Sequence, residues 1–431
     1  MSLAQMRCRR FPAASWFSRC VCGGIVILSV MVRKSGSKGT RPVGSCSSMP
    51  IFVVAIFVLS RVVMLPFWFR GWKSDESIGN HGSSFLYYLG WLWDGGWYGD
   101  IATVGYPSEL PRDPITGSVL QNNWEFLPAY PMLGRLIMQA SGLPWEVVGV
   151  SLSLGLGLTA LLLLAKLLPE VAPDLCRRRP KAPYLAVTGL AFFPSAGVFS
   201  LAYAESMAIV LILLSLRFIH RRAYMSALIP VILLGFTRPI ALPIAAVVVW
   251  HAVVRIQESA SQMAPKVPVR DLFLMSLLTL ASAVSGLVWP AICGMVTGVA
   301  DGYFLTQSAW RAGQSSSMPF AGWTTPFEPL AVGVVLMILI LVFAGTWFFT
   351  PSAAELGDEL RSWGLAYIVF MLAATSMNTG VFRYALPSLV LPIAMMKWVK
   401  TRVAFVTMSI VLLVSQGSWI VLITTIGRLP P

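Results

Sequence analysis

Apolar and polar positions in this chain do not alternate; they come in blocks. From residue 51 to residue 425, long apolar runs recur, separated by short polar or basic breaks. A helix needs ~20 residues to cross ~30 Å of hydrocarbon, and most of these runs approach or reach that length. The pattern predicts an all-α, polytopic membrane protein. The expected spans are 51–69, 146–168, 183–200, 204–219, 223–236, 240–254, 272–296, 329–349, 363–378, 384–399 and 403–425, eleven in total. Two longer polar segments, 70–145 and 297–328, interrupt them.

Composition supports this reading and charge orients it. The chain of 431 residues is 56% apolar and 12% charged, whereas a soluble protein carries about 25% charged residues. The net charge of +14 does not point to nucleic acid, because the basic residues are scattered between apolar spans. Lys and Arg collect in cytoplasmic loops of membrane proteins and set orientation. On that rule the N-terminus is cytoplasmic, Arg177, Arg178, Arg179 and Lys181 lie inside, and the C-terminus is outside. Segment 70–145 is then a long extracytoplasmic loop with seven carboxylates against four basic residues, and 297–328 is a second outer loop. Phe126–Ala140 is apolar enough to count as a twelfth span, but counting it would move Arg177–Lys181 outside. It is read instead as an interfacial or re-entrant helix, with Trp124 and Tyr130 near headgroup level. Residues 1–48 hold eight basic and no acidic residues and are expected to form a disordered cytoplasmic tail ahead of a membrane domain at 49–431. Met49 directly precedes the first full span, so translation from it would also yield that domain.

Candidate chemistry gathers at the outer ends of spans. Trp91-Leu92-Trp93-Asp94-Gly95-Gly96-Trp97-Tyr98 combines a carboxylate, two turn-permitting glycines and ring faces suited to sugars or headgroups. Glu125-Phe126-Leu127-Pro128-Ala129-Tyr130-Pro131 adds a carboxylate and a phenol. Glu205, within Tyr203-Ala204-Glu205-Ser206, sits at the end of a span, where an ionisable residue is either functional or paired with a structural arginine. Arg238 in Thr237-Arg238-Pro239 and Arg383 in Phe382-Arg383-Tyr384 could fork onto phosphate, snorkel, or pair with Glu205. The turn at Thr237-Arg238-Pro239 joins two short segments, so it should lie below the membrane surface and face a cavity. Arg61, inside the first span, should snorkel or pair internally. His81, His220 and His251 share no ligand spacing, and no C-x-x-C occurs, so neither a metal site nor a disulfide framework is implied.

The order of these elements resembles one family. Ser60-Arg61, Trp93-Asp94-Gly95-Gly96-Trp97-Tyr98, Gly105-Tyr106-Pro107, Phe126-Leu127-Pro128-Ala129-Tyr130-Pro131, Tyr203-Ala204-Glu205-Ser206, Thr237-Arg238-Pro239 and Arg383-Tyr384-Ala385-Leu386-Pro387 are similar to the bacterial relatives of GPI mannosyltransferase 2. These are PIG-V-like glycosyltransferases of the GT-C class. The resemblance covers residues 51 to about 400; Glu125 departs from the double aromatic the family carries before its proline. It implies a GT-C-like bundle and a multi-pass enzyme of the cell membrane with an extracytoplasmic site. The implied reaction is transfer of a sugar, mannose in the family, from a polyprenyl-phosphate donor to a glycolipid, lipoglycan or protein acceptor. Asp94 is the expected base, with Arg238 and Arg383 on the phosphate. Trp93, Trp97, Tyr98, Glu125, Tyr130, Glu205 and Tyr384 are the expected substrate contacts, and no cofactor is expected. A lipid or solute transporter, or a non-catalytic subunit of the same fold, would also want such intramembrane charges. Transporters, however, tend to show paired repeats, and no convincing repeat relates the two halves.

Overall fold

The computed structural model describes residues 49–75, 83–310, 318–378, 380–395 and 399–426. The expected tail at 1–48 lies outside these residues, as does His81. Among the described residues regular structure is helical, apart from an isolated bridge between Arg112 and Val119. The chain opens with α1 (Met49–Ser74), then the short α2 (Phe85–Trp91) and α3 (Asp94–Thr103), and reaches α4 (Ala129–Ser141) through a loop. Next come α5 (Trp145–Val171), α6 (Pro173–Arg178), α7 (Ala182–Ala191), α8 (Glu205–His220), α9 (Tyr224–Gly235), α10 (Leu242–Ala260) and α11 (Val269–Thr297). The last third holds α12 (Gly302–Trp310), α13 (Ala321–Thr324), α14 (Leu330–Phe348), α15 (Pro351–Ala354), α16 (Asp358–Ala374), α17 (Val381–Ala385), α18 (Val390–Met395) and α19 (Arg402–Val421).

Five helices are long and apolar enough to cross a membrane: α1, α5, α11, α14, and α19 with its extension to Ile426. They make this a multi-pass membrane protein. Each buries only part of its circumference. In α1 the buried positions Val53, Phe57, Ser60, Arg61, Met64, Trp68 and Gly71 recur every three or four residues, while Val54, Val58 and Val62 between them are exposed. That is the pattern of a helix apolar all round with one face against protein and the other against lipid. The amphipathic α4, 13 residues long, fits the interfacial helix expected near Phe126–Ala140 and is too short to span. The other six expected spans are helices of 19 residues or fewer, or are interrupted.

Two of the interruptions correct the expected boundaries. Segment 183–200 is not one helix: α7 stops at Ala191, Phe193-Pro194 follows, and a 3-10 turn takes over at Ala196–Ser200. Proline removes a donor and excludes its predecessor from helical geometry, so carbonyls at the break need other partners. Arg61 supplies them, donating to the carbonyls of Ala191 at 2.8 Å and Ala196 at 2.5 Å. The intramembrane arginine thus pairs internally, with its guanidinium at a helix C-terminus, where positive charge is favoured. Segment 384–399 likewise breaks into α17, a 3-10 turn at Leu386–Ser388, and α18.

The core is organised around α8, in which no residue is exposed. Its two ends carry separate polar clusters about 22 Å apart at 1.5 Å per residue. At the C-terminal end Glu359 of α16 accepts from His220 at 3.2 Å and lies 3.1 Å from His251 Nδ1. His251 Nε2 is 3.1 Å from the Tyr224 hydroxyl, and Arg255 bonds both Tyr224 at 2.8 Å and Asp271 at 2.7 Å. This chain of bonds ties α8, α9, α10, α11 and α16 together at one end. The other end holds the site.

Candidate active site

Asp94 is the first residue of α3, set there by Trp93, whose φ of 50° makes the sharp turn out of α2. That turn is held by Trp145, whose indole N–H bridges the carbonyls of Gly90 and Gly95, each at 3.0 Å. The two segments touch so closely that a Cβ on Gly95 would sit 2.5 Å from the Gly90 oxygen, and one on Gly99 would meet the Trp145 ring at 2.7 Å. Glycine at these positions therefore fixes where the Asp94 carboxylate stands.

Glu205 opens α8, its side chain 2% exposed. One of its oxygens, Oε1, accepts from Nη1 of Arg238 and from Nε of Arg383. The other, Oε2, is buried and has no hydrogen-bond partner among the described residues. Arg383 also donates through Nη2 to Asp94 Oδ2. One guanidinium thus bridges the two carboxylates, and two guanidiniums share one of them. The Arg383 carbon lies 4.6 Å from the centre of the Tyr203 ring. Cation and ring attract, the more so where water is excluded. Formal charge in the cluster sums to zero, as burial requires. Exposure is uneven: 16% for the Asp94 side chain and 20% for Arg238, against 3% for Arg383. Asp94 and Arg238 form the open rim, and Arg383 is the hidden link.

Arg383 is held from both sides. Ser195 donates to the Phe382 carbonyl at 2.7 Å, and the Tyr367 hydroxyl donates to the Tyr384 carbonyl at 2.8 Å. Tyr384 so far contributes its main chain. Arg238 stands in the tight turn between α9 and α10, whose Phe236 carbonyl accepts from the Ala129 N–H at 2.9 Å. That bond brings the start of α4 to the same place.

The expected aromatic contacts divide into two sets. Tyr98, one turn after Asp94, is buried edge-on against Phe126 and Tyr130, both at 5.3 Å. Burial pushes its phenol well above the ordinary value, with the Arg238 charge opposing. Tyr130 has no exposure, and its hydroxyl is occupied by the Gly149 carbonyl and Ser153 Oγ, both at 2.8 Å. Ser153 in turn donates to the Tyr203 carbonyl at 2.8 Å. Tyr130 is thus packed through Ser153 against the main chain of Tyr203, its hydroxyl engaged within the protein. Trp93 and Trp97 are half-buried. Trp97 stacks on Phe126 at 5.9 Å and meets Trp310 edge-on at 5.1 Å. Glu125, also half-buried, directly precedes Phe126 in a 3-10 turn.

Three neighbours of the cluster escaped the sequence reading as site residues. Trp310 comes from the second polar segment, more than 200 positions from Trp97, and only its being an aromatic in an otherwise undistinguished loop could have drawn attention. Tyr203 was visible beside Glu205, but nothing local says its ring lies against Arg383. Tyr367 lies inside an apolar run and carried no signal.

No family model matches this sequence, and no curated protein does. Among solved structures the chain is similar to the oligosaccharyltransferase of Archaeoglobus fulgidus, with a TM-score of 0.36 and 14% identity over 86% of this chain and 49% of that one. It is also similar to the arabinosyltransferase EmbB from Mycobacterium smegmatis, with a TM-score of 0.34 and 13% identity over 91% of this chain and 42% of that one. This chain thus spans about half the length of the solved proteins it matches, or less.

Proposed function

We propose that this chain is a membrane glycosyltransferase of the GT-C class, moving a sugar from a polyprenyl-phosphate donor to an acceptor hydroxyl on the extracytoplasmic face. Mannose follows from the family its motifs resemble; glycolipid, lipoglycan and protein hydroxyls all fit as acceptors. The observation that carries this reading is Arg383 bridging Asp94 and Glu205, with Arg238 on Glu205 beside it.

The chemistry follows from the charges. The donor is a phosphodiester bearing one negative charge, already joined to a good leaving group. The acceptor oxygen forms a bond to the anomeric carbon as the bond from that carbon to the phosphate oxygen breaks. The acceptor proton passes to Asp94, and the electron pair leaves with the phosphate, whose charge grows from one to two. Attack opposite the phosphate inverts the anomeric centre. As Asp94 becomes neutral its claim on Arg383 weakens, just when the phosphate gains charge. Arg383 can therefore transfer its attraction from the base to the leaving group, while Arg238 holds the phosphate from the rim. Glu205 keeps both guanidiniums aimed inward before the donor arrives.

Purified full-length protein, given radiolabelled polyprenyl-phosphate mannose and a membrane lipid extract, should form labelled lipid. Asp94→Asn should lower that rate by about 10²- to 10⁴-fold, the usual contribution of a general base. Undiminished transfer by the variant removes Asp94 as the base. No transfer by wild type, with glycolipid and protein acceptors also supplied, favours a transporter or a non-catalytic subunit.

A further inference from the structure

The polar network at the C-terminal end of α8 has one arrangement of protons that satisfies all its members. Arg255 is the fixed point, because a guanidinium donates and never accepts. It donates to Asp271 at 2.7 Å and to the Tyr224 hydroxyl oxygen at 2.8 Å. The Tyr224 proton is then left for His251 Nε2, 3.1 Å away. To accept it Nε2 must be bare, which puts the His251 proton on Nδ1, where Glu359 Oε1 receives it at 3.1 Å. The other two states of His251 each create a conflict. A proton on Nε2 alone would turn the bare Nδ1 toward a carboxylate, lone pair against lone pair. Protons on both nitrogens would take from the buried Tyr224 hydroxyl its acceptor and set a second cation beside Arg255.

His251 is therefore neutral and does not balance the charge of Glu359. That falls to His220, whose Nδ1 lies 3.2 Å from the other oxygen, Oε2. Exposure agrees: 33% of the His220 side chain meets solvent, against 10% for His251 and 6% for Glu359. Of the two histidines on this carboxylate, His220 is the one placed to exchange its proton with water. We propose that His220 is a proton-operated clasp. With its extra proton it pairs with Glu359 and holds the end of α8 to the start of α16; without it, Glu359 is a buried carboxylate with no cation on it, and the contact weakens.

The other charges around His220 are already engaged. Glu170 of α5 is shared by Arg217 and Arg221 of α8. Asp271 of α11 holds Arg255 of α10, Arg361 holds Asp358 on α16, and Arg178 of α6 holds Glu355. His220 follows the apolar stretch 204–219, and Glu359 precedes 363–378. The bond to Glu359 raises the pKa of His220 above its ordinary value of 6.5, against burial, with Glu170 helping and Arg221 opposing. A group whose pKa is raised on folding stabilises the fold fully below its unfolded value. That stabilisation is lost as pH rises through the folded value. The clasp is thus closed at pH 6 and opens on the alkaline side.

Thermal unfolding of the full-length protein in nanodiscs, between pH 6 and pH 9, tests this. His220→Asn carries no charge at any pH in that range. Its Tm should lie below that of wild type at pH 6, and the gap should shrink by about 2 °C by pH 9. The gap between wild type and His251→Gln should stay constant, since His251 keeps one protonation state. A His220→Asn gap that does not change with pH, or a His251→Gln gap that does, overturns the proposal. Imidazole ¹⁵N resonances of the wild-type protein read the same states and require no variant to fold. His251 should keep a proton on Nδ1 and a bare Nε2 throughout, while His220 passes from two protonated nitrogens to one. A titrating His251, a proton on its Nε2, or a His220 already neutral at pH 6 overturns the proposal. Neither measurement involves sugar transfer.

Discussion

At the scale of single residues, the site depends on geometry as much as charge. Arg383 serves two carboxylates because its planar fork presents Nε and Nη2 in different directions. Lysine keeps the charge but offers one compact ammonium. Arg383→Lys should therefore lose at least tenfold in kcat, since misplacing one group by about 1 Å can cost 10²-fold, while protein yield is retained. Arg238 makes one contact to Glu205 from a more open position, and Arg238→Lys should raise the donor KM more than it lowers kcat. The two variants assayed in parallel check this; identical behaviour would count against the bridging role. Glu205→Gln leaves Arg238 facing a neutral amide and the buried Arg383 with Asp94 as its remaining carboxylate. Breaking a buried pair costs about 3–5 kcal/mol, so this variant should unfold at a clearly lower temperature in detergent, with Arg383→Lys less affected.

At the scale of elements, the carboxylate is placed by packing between short helices. Gly99→Ala drives a methyl into the Trp145 ring and should displace the α2–α3 corner, lowering kcat with little change in donor KM. Trp145→Phe removes the N–H shared by Gly90 and Gly95 and should act in the same direction. Steady-state kinetics on both variants test the corner, and a change confined to KM would speak against it. Arg61 works on a different element. Arg61→Leu leaves the carbonyls of Ala191 and Ala196 without their donor at the break in α7, at a cost of about 1–3 kcal/mol for each buried unsatisfied group. A lowered Tm should result, with the rate per folded molecule little changed, because Arg61 touches none of the four charged groups.

For the whole molecule, the two ends of α8 behave as separate units. The network around Glu359, at the C-terminal end of α8, joins five helices. The proposed orientation places the ionic site outside. With the native cysteines replaced, Asp301→Cys should react with an impermeant maleimide on intact cells, and Lys181→Cys only after permeabilisation; both residues are exposed. The reverse pattern would put the site on the cytoplasmic face and remove access to an outer-leaflet acceptor.

The apolar blocks, read alone, established a helical membrane protein and the approximate position of each long span. They also picked out the residues whose polarity conflicts with their surroundings: Arg61, Asp94, Glu205, Arg238 and Arg383. These are local properties, because the cost of placing a charge or an open backbone in hydrocarbon is set by the segment itself. Tertiary structure alone decided what those residues do. Arg61 and Arg383 look alike in sequence, yet one closes a broken helix and the other joins two carboxylates. Tyr130 is buried with its hydroxyl bonded to Gly149 and Ser153, and Trp310, from a distant segment, packs on Trp97. Asp94 and Arg383 are 289 positions apart. A contact of that kind is selected by how helices pack, to which the periodicity of any one helix is blind.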